Sequence, residues 1–299
     1  MSSREGRARG DTPVSAMRAN REVEIERELI AADEEAPRRD AATLCAARHP
    51  YTNEDRVLCD PDQGVAAVFD GVGGQAGGEH AARAACGAMA MALDQLPPRE
   101  DVEGRSRWLA AAIRSGHAAI SLSKRLHGDL AGQGTTAVAA VLAKETVLTA
   151  CVGDSRAYRV RDGKIELIAD EHEDTVPRPA MADALDRVSS AEEFEGAPKD
   201  LPWAFTYRNI ISAELGSDVV QLNVREHNLA RGDLILVVSD GVHDNLAHQE
   251  IESVVAECAG QAPQALATAL VARAHQRSQD RGHLRSKDDD VTCAVLQAC

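Results

Sequence analysis

The chain has few aromatic residues. Two Trp, three Tyr and three Phe amount to 3% of 299 residues, so a core has to be assembled mainly from Ala, Val, Leu and Ile. Positive charge is also in deficit. Lys and Arg number 33 against 48 Asp and Glu, and the formal net charge of -15 argues against a protein that grips nucleic-acid phosphates through a broad basic surface. A phosphorylated substrate is still compatible with that balance, because bound metal cations can supply local positive charge. No CxxC pair occurs, and the seven cysteines (Cys45, Cys59, Cys86, Cys151, Cys258, Cys293 and Cys299) are odd in number and scattered. Free thiols in a reducing cytosol fit that usage better than a disulfide framework or a zinc site. There is no apolar run of about 18 residues that could span a membrane, and the N-terminus lacks the apolar core of a secretory signal. The expectation is a soluble cytoplasmic protein with neither a nucleic-acid nor a membrane partner.

What is present is globular in composition, with 44% hydrophobic and 27% charged residues. The length suits one large domain or two small ones. Residues 1–40 are polar and charged and read as a tail, with Arg21 to Ala32 able to form one short helix. From Ala41 to the C-terminus the pattern is that of one folded unit. Val65 to Phe69, short and rich in Val and Ala, reads as a strand entered through the turn Asp60-Pro61-Asp62-Gln63-Gly64. Gly77 to Leu96 and about Ser106 to Arg125 read as helices, the first with a face of small residues suited to close packing on a sheet. Thr135 to Ala143, Thr146 to Val152, Ala157 to Val160 and Lys164 to Ile168 read as strands, three short ones in meander order implying an antiparallel sheet, with Asp162-Gly163 as a hairpin turn. Residues 171–207 carry several prolines and acids without a clear period and read as an irregular flap, with a short helix around Ala180 to Val188. Arg208 to Gly216 reads as a helical turn, and Val219 to Val224 and Leu234 to Val238 as strands. Helices are expected at about Gln249 to Ala259 and Pro263 to Ser278, and a final strand at Val291 to Gln297.

Three acids share one placement. Asp70, Asp240 and Asp289 each stand at an end of an apolar strand, and Glu54-Asp55 lies just before the first of them. Asp70 and Asp240 are each followed by glycine, which lets the backbone take positive φ or approach something bulky or charged. Asp244 reaches the same spot as Asp240 if that loop turns helically. Taken alone, the Asp70 stretch is equally an ordinary strand-to-helix turn with a solvated acid. Acids at strand ends on one edge of a sheet can converge, however. With no compensating Lys, converging carboxylates repel strongly in a low-dielectric cleft, and a cation removes that cost. The candidate ligands are all oxygen, with no His or Cys set at zinc spacing, which points to Mg²⁺ or Mn²⁺.

Seven motifs occur in a fixed order: Asn53-Glu54-Asp55; Asp70-Gly71-Val72-Gly73-Gly74 with Gly78-Glu79; Gly134-Thr135-Thr136; Gly153-Asp154-Ser155-Arg156; Glu214-Leu215-Gly216; Gly232-Asp233 leading to Ser239-Asp240-Gly241 and Asp244; and Asp289-Asp290-Val291-Thr292. In that order the set resembles the protein phosphatase 2C family, the metal-dependent Ser/Thr protein phosphatases, and in particular its bacterial branch. The resemblance implies an α+β fold, a four-layer α-β-β-α sandwich of two largely antiparallel sheets flanked by helices, with the metal site at one end. By position, Asp70 would bridge two metals, Asp240 and Asp289 would complete the shell of the first, and Glu54 and the Gly71 carbonyl would hold the second. Asp55 would orient metal-bound water. Asp154 with Asp244 matches the place of a third, weaker metal found in many bacterial members. The implied chemistry is in-line attack on phosphorus by a hydroxide bridging two Mn²⁺ or Mg²⁺ ions, so the cysteines need no catalytic role. The implied partners are phosphorylated proteins, a Ser/Thr kinase or its targets among them.

The sequence departs from that pattern at three positions. Pro50 stands where bacterial members carry a phosphate-binding Arg, which leaves Arg48 and His49 as the candidates for that contact. Val72 stands where eukaryotic members have His, so protonation of the leaving group would fall to a metal-bound water. Asp290 stands where Asn is common, either tightening metal binding or lying exposed. His243, beside the site, is expected to pack or to face solvent. Two other readings are compatible with the same residues: a pseudophosphatase that binds phosphoprotein without turnover, and a phosphatase of small phosphorylated metabolites.

Overall fold

The structure, a computed structural model, describes residues 41–46, 53–72, 77–128, 132–170, 180–194, 199–206, 211, 213–218, 220 and 222–298. The helix expected within Arg21 to Ala32 lies outside the described residues. In chain order the backbone forms β1 (Ala41–Ala46), β2 (Arg56–Asp60), β3 (Val65–Phe69), the two-residue β4 (Gly71–Val72), α1 (Gly77–Ala92), α2 (Val102–Leu126), β5 (Gly134–Thr135), β6 (Ala137–Ala143), β7 (Thr146–Val152), β8 (Arg156–Arg161) and β9 (Lys164–Ala169). There follow α3 (Ala180–Arg187), α4 (Leu201–Thr206), β10 (Arg225–Asn228), β11 (Leu234–Val238), α5 (Asp240–His243), α6 (His248–Glu257), α7 (Pro263–Gln279) and β12 (Val291–Gln297).

Two five-stranded sheets carry the fold, in the orders β1-β12-β11-β8-β9 and β10-β7-β6-β3-β2, and their neighbouring strands pair antiparallel. Between them lies a dry layer that includes Val57, Val68, Val138, Ile235, Val237 and Leu296. Ala66, Ala140, Ala157 and Ala294 keep that layer thin. The outer face of the second sheet is covered by α1 and α2 through Phe69, Met89, Leu109, Ile113 and Ile120. The outer face of the first is covered by α6 and α7 through Ile251, Val254, Leu266 and Leu270. Each fully buried aliphatic side chain of this kind contributes about 1.5–3 kcal/mol. With so few aromatics, the core gains its density from small residues. A methyl on Gly116 of α2 would meet the Ala85 Cα of α1 at 3.1 Å, so the two helices pack almost backbone to backbone.

The sandwich agrees with the expected fold class, and four local readings change. The strands from β6 to β9 do not form one meander. β6 and β7 pair in one sheet, β8 and β9 in the other, and the chain crosses between sheets at Gly153-Asp154-Ser155. Helix α2 begins at Val102, earlier than expected, because the Asp101 carboxylate accepts the Gly104 N–H at 2.8 Å and caps a turn that the apolar period does not mark. Val220, Leu222 and Val224 pack against the helix-side core, and the paired strand starts only at Arg225, where β7 supplies partners. The end of the segment expected as a helical turn is extended: Leu215 and Thr135 exchange backbone hydrogen bonds of 2.8 and 3.3 Å, and Gly216 then turns with φ of +99°. α2 fixes that turn, His117 Nδ1 accepting the Gly216 N–H and Lys124 donating to its carbonyl.

Candidate metal centre

Antiparallel register brings the predicted acids together. In one sheet Arg56 pairs with Phe69, Val68 with Val138 and Ala137 with Val152. The start of β2, the ends of β3 and β7 and the start of β6 therefore coincide. In the facing sheet Val238 pairs with both Cys293 and Arg156, so the end of β11 coincides with the starts of β12 and β8. Glu54, Asp55, Asp70, Asp154, Asp240 and Asp289 flank these ends, and the crossing at Asp154 joins the two sheets there.

The backbone of Asp70 is clamped on both sides. Its N–H donates to Thr136 Oγ1 at 3.0 Å, and its carbonyl accepts the Thr135 hydroxyl at 2.9 Å and the Thr136 N–H at 2.8 Å. The Thr136 and Ser155 hydroxyls share a 2.7 Å hydrogen bond, which ties the sheet crossing to the same point. Gly71 is required for close approach. A Cβ there would lie 2.5 Å from the Gly78 carbonyl carbon and 2.7 Å from the Glu54 carbonyl oxygen, so three backbone segments meet where only glycine fits.

Glu54 is held through its backbone, its N–H donating to Asp290 Oδ2 at 2.9 Å. Asp290 is buried, which corrects the alternative that it lies exposed: its carboxylate anchors the segment that carries Glu54. Arg56 fixes the same segment by donating to the carbonyls of Asn53 and Asp55 and to Glu79 of α1. Asp55 is completely buried, and neither of its carboxylate oxygens has a hydrogen-bond partner. Burial, then the charges of Asp290 and Asp289, push its pKa well up. The hydroxyls of Thr292 and Ser239 oppose the rise from outside hydrogen-bonding geometry.

Asp240 opens α5, and the helical turn expected from its spacing to Asp244 is present, the Asp244 N–H donating to the Asp240 carbonyl at 2.8 Å. A Cβ on Gly241 would sit 1.9 Å from the Asp290 carbonyl oxygen, so this turn packs directly on the entry to β12. The expectation of acids without a compensating Lys is not met. Lys287 Nζ contacts Asp240 Oδ2, and it lies 3.0 Å from Asp244 Oδ2 and 3.0 Å from Asp289 Oδ2. The buried Asn245 side chain directs it there, accepting the Lys287 N–H at 2.9 Å and donating to the carbonyls of Lys287 and Gly241. Among the described residues, no three acid, His or Cys side chains stand close enough to cage an ion as they are.

The site is rich in negative charge all the same. Burial, then Asp55, Asp240, Asp289 and Asp154, raise the Asp70 pKa well above the usual carboxylate range, although one edge of the residue reaches solvent. Burial raises Asp240 to about 6, with Lys287 opposing the rise and Asp289 and Asp244 adding to it. Lys287 is pushed upward in turn: burial opposes its charge, and the Asp240, Asp244 and Asp289 carboxylates outweigh it. One ammonium among three carboxylates leaves that cluster net negative, so both shifts run the same way. Orphaned buried oxygens on Asp55 and Asp240, all-oxygen donors and mutual repulsion fit a hard divalent cation.

Arg48, His49 and Pro50 lie outside the described residues. His243 is buried and neutral, its pKa lowered by burial and by Arg156, and its Nε2 donates to the Asp154 carbonyl at 3.0 Å. Sequence reasoning passes over Lys287, Asn245 and Arg285. Only Lys287 carried a signal, as a cation beside an acidic run.

The chain is similar to known proteins in sequence and fold. The family model described as Protein phosphatase 2C matches residues 45–273. The serine/threonine protein phosphatase PstP of Mycobacterium tuberculosis is 31% identical over 199 residues, 67% of this chain and 35% of that protein. This chain thus spans about a third of that relative's length. The serine/threonine phosphatase Stp of Listeria welshimeri is 27% identical over 212 residues, 70% of this chain and 78% of its own. A crystal structure of the PstP catalytic domain in complex with two manganese ions superposes with a TM-score of 0.62 at 26% identity, covering 86% of this chain and 98% of that one. The family match spans most of the residues that build the two sheets and their helices, and the chain belongs to the protein phosphatase 2C family of metal-dependent serine/threonine phosphatases.

Proposed function

We propose that this chain hydrolyses phosphoserine and phosphothreonine in proteins, using two divalent cations, Mn²⁺ or Mg²⁺, held by Asp70, Asp240, Asp289, Glu54 and the Gly71 carbonyl. The family uses metal ions, and the two manganese ions of the PstP catalytic domain support the count. The observation that carries the reading is the set of buried carboxylate oxygens with no hydrogen-bond partner, both of Asp55 and Oδ1 of Asp240, at the point where two sheets bring their acids together. Leaving such groups unpaired costs stability unless a cation or the water it holds joins them. When bound, the cation pair would lower the pKa of a water between them and offset charge on the phosphoryl oxygens. The chain's own part is positional. The Thr135 and Thr136 clamp holds Asp70 at the midpoint of the site. Asp55, sealed from solvent, would orient the attacking water by accepting its hydrogen bond. Arg48 or His49 would contact the substrate phosphate, and Asp154 with Asp244 would offer a place for a third ion. A Ser/Thr kinase or its targets are the partner class this activity serves.

The test is phosphate release from a phosphothreonine peptide across a Mn²⁺ titration, with Asp70→Asn beside the wild type. Release should require the metal and fall at least about a hundredfold in the variant. Peptide binding without release would replace the enzyme reading by a phosphoprotein-binding one. Turnover confined to small phosphate esters would move the substrate class to metabolites.

A further inference from the structure

We propose that Lys287 is the resident counter-cation of the acid cluster, and that a divalent cation must displace its ammonium to take Asp240 and Asp289. The inference rests on the metal reading above and concerns what that metal competes with. Lys287 Nζ touches three carboxylates, those of Asp240, Asp244 and Asp289, and two of these are the proposed ligands. Its placement is built in. Asn245 holds the Lys287 backbone through both its N–H and its carbonyl and is itself bonded to Gly241 of the site helix, so the lysine stem starts from a fixed point a few residues before β12. The side chain is largely enclosed, 17% exposed. Neighbouring cations are engaged elsewhere: Arg56 with Glu79, Arg156 with Asp186, and Arg285 with backbone carbonyls.

An ammonium and a divalent ion cannot both lie against the same carboxylate oxygens at full occupancy. Like charges a few ångströms apart repel strongly even at the effective dielectric of a protein site. The lysine therefore does two things. In the metal-free chain it relieves repulsion among three acids. In the presence of metal it weakens the apparent affinity, because part of the ion's attraction goes into expelling a charge already bound there. Its four-carbon stem has the freedom to withdraw once the ion arrives.

The experiment uses the full chain stripped with a chelator and titrated with Mn²⁺ in a calorimeter, comparing wild type, K287M and K287R. K287M should bind Mn²⁺ at least about tenfold more tightly, about 1.4 kcal/mol, while K287R stays close to wild type. In chelator K287M should melt at a lower temperature than wild type, and Mn²⁺ should raise its melting temperature by more. If K287M is too unstable to strip, the variant purified with Mn²⁺ should surrender it to chelator more slowly than wild type. Equal or weaker affinity, or equal or faster release, in folded K287M overturns the proposal. A wild type that takes up no Mn²⁺ overturns the metal reading beneath it.

Discussion

Replacing Arg285 by Met tests how the α3–α4 segment is joined to the acid cluster. Arg285 is only 2% exposed. Its Nε donates to the Asp244 carbonyl at 3.1 Å and one terminal nitrogen to the His243 carbonyl at 2.6 Å. The other terminal nitrogen donates to the carbonyls of Leu185 and Val188 at 2.9 and 2.7 Å, and the guanidinium lies 5.6 Å from the Phe205 ring of α4. These carbonyls end α5 and α3, where a helix leaves its last acceptors unpaired and favours a cation. One guanidinium thus caps two helices, one bearing Asp240 and the other lying in the segment expected as a flap. Met would keep most of the stem packing and strand four buried carbonyls. Bonds to a charged donor contribute about 1.5–3 kcal/mol each, but relief of the buried guanidinium and entry of water offset much of their sum. A net loss of about 3–5 kcal/mol is expected for breaking one side of a buried charged network. For a chain of this size that lowers the melting temperature by roughly 10 °C. Hydrogen exchange should show the amides at 184–188 opening while those of β3 and β12 stay protected. A melting temperature within about 2 °C of wild type, or exchange that rises evenly through the fold, would refute the capping argument.

The raised pKa of Asp240, about 6 against an ordinary 3.8, makes the metal-free chain lose stability as pH rises from 4 to 7. In that window the folded state holds more protons than the unfolded one, so the unfolding free energy falls with pH. Asp240→Asn should therefore gain on wild type by up to about 3 kcal/mol as pH climbs through the window, read from urea melts in chelator. A difference that stays constant with pH would show that Asp240 does not titrate as argued. Gly241→Ala should destabilise by about 3 kcal/mol or more, since its methyl would fall on the Asp290 carbonyl oxygen, and should weaken Mn²⁺ binding with it. Gly87→Ala, on α1 with nothing within 4 Å of the added methyl, should stabilise by about 0.5–1 kcal/mol. If the two substitutions behave alike in melts, the tight contact of α5 with the entry to β12 is wrong.

Strands β3, β11 and β12 are legible in the sequence because each is covered on both faces, by the partner sheet and by helices, and so shows as a largely apolar run with an acid beside one end. The sheet crossing at Gly153-Asp154-Ser155 is not legible. A hairpin followed by a second hairpin has the same apolar pattern whether the pairs share a sheet or face each other, and only β11, arriving some eighty residues later beside β8, decides it. Asp289 could be read from its place before β12, yet its neighbour Asp290 could not. An acid in an acidic run looks solvated until Glu54, 236 residues away in the chain, presents its N–H. Lys287 and Arg285 fail for the same reason, since, Asp289 apart, the acids and carbonyls they meet lie about 40 to 100 residues upstream.

What those long-range contacts hold in place is backbone more than carboxylate. Asp70 is fixed through its N–H and C=O, Glu54 through its N–H, and Asp240 through the packing of Gly241 and the bonds of Asn245. Among the acidic side chains, both oxygens of Asp55 and Oδ1 of Asp240 lack a hydrogen-bond partner, and one lysine is shared by three carboxylates. A site that used its acids to build the fold would have none to spare for an ion. The acid cluster is therefore an electrostatic deficit in a frame built by the two sheets and their helices. The raised pKa values of Asp55, Asp70 and Asp240 accordingly fall together at this cluster, although their oxygens do not form a cage.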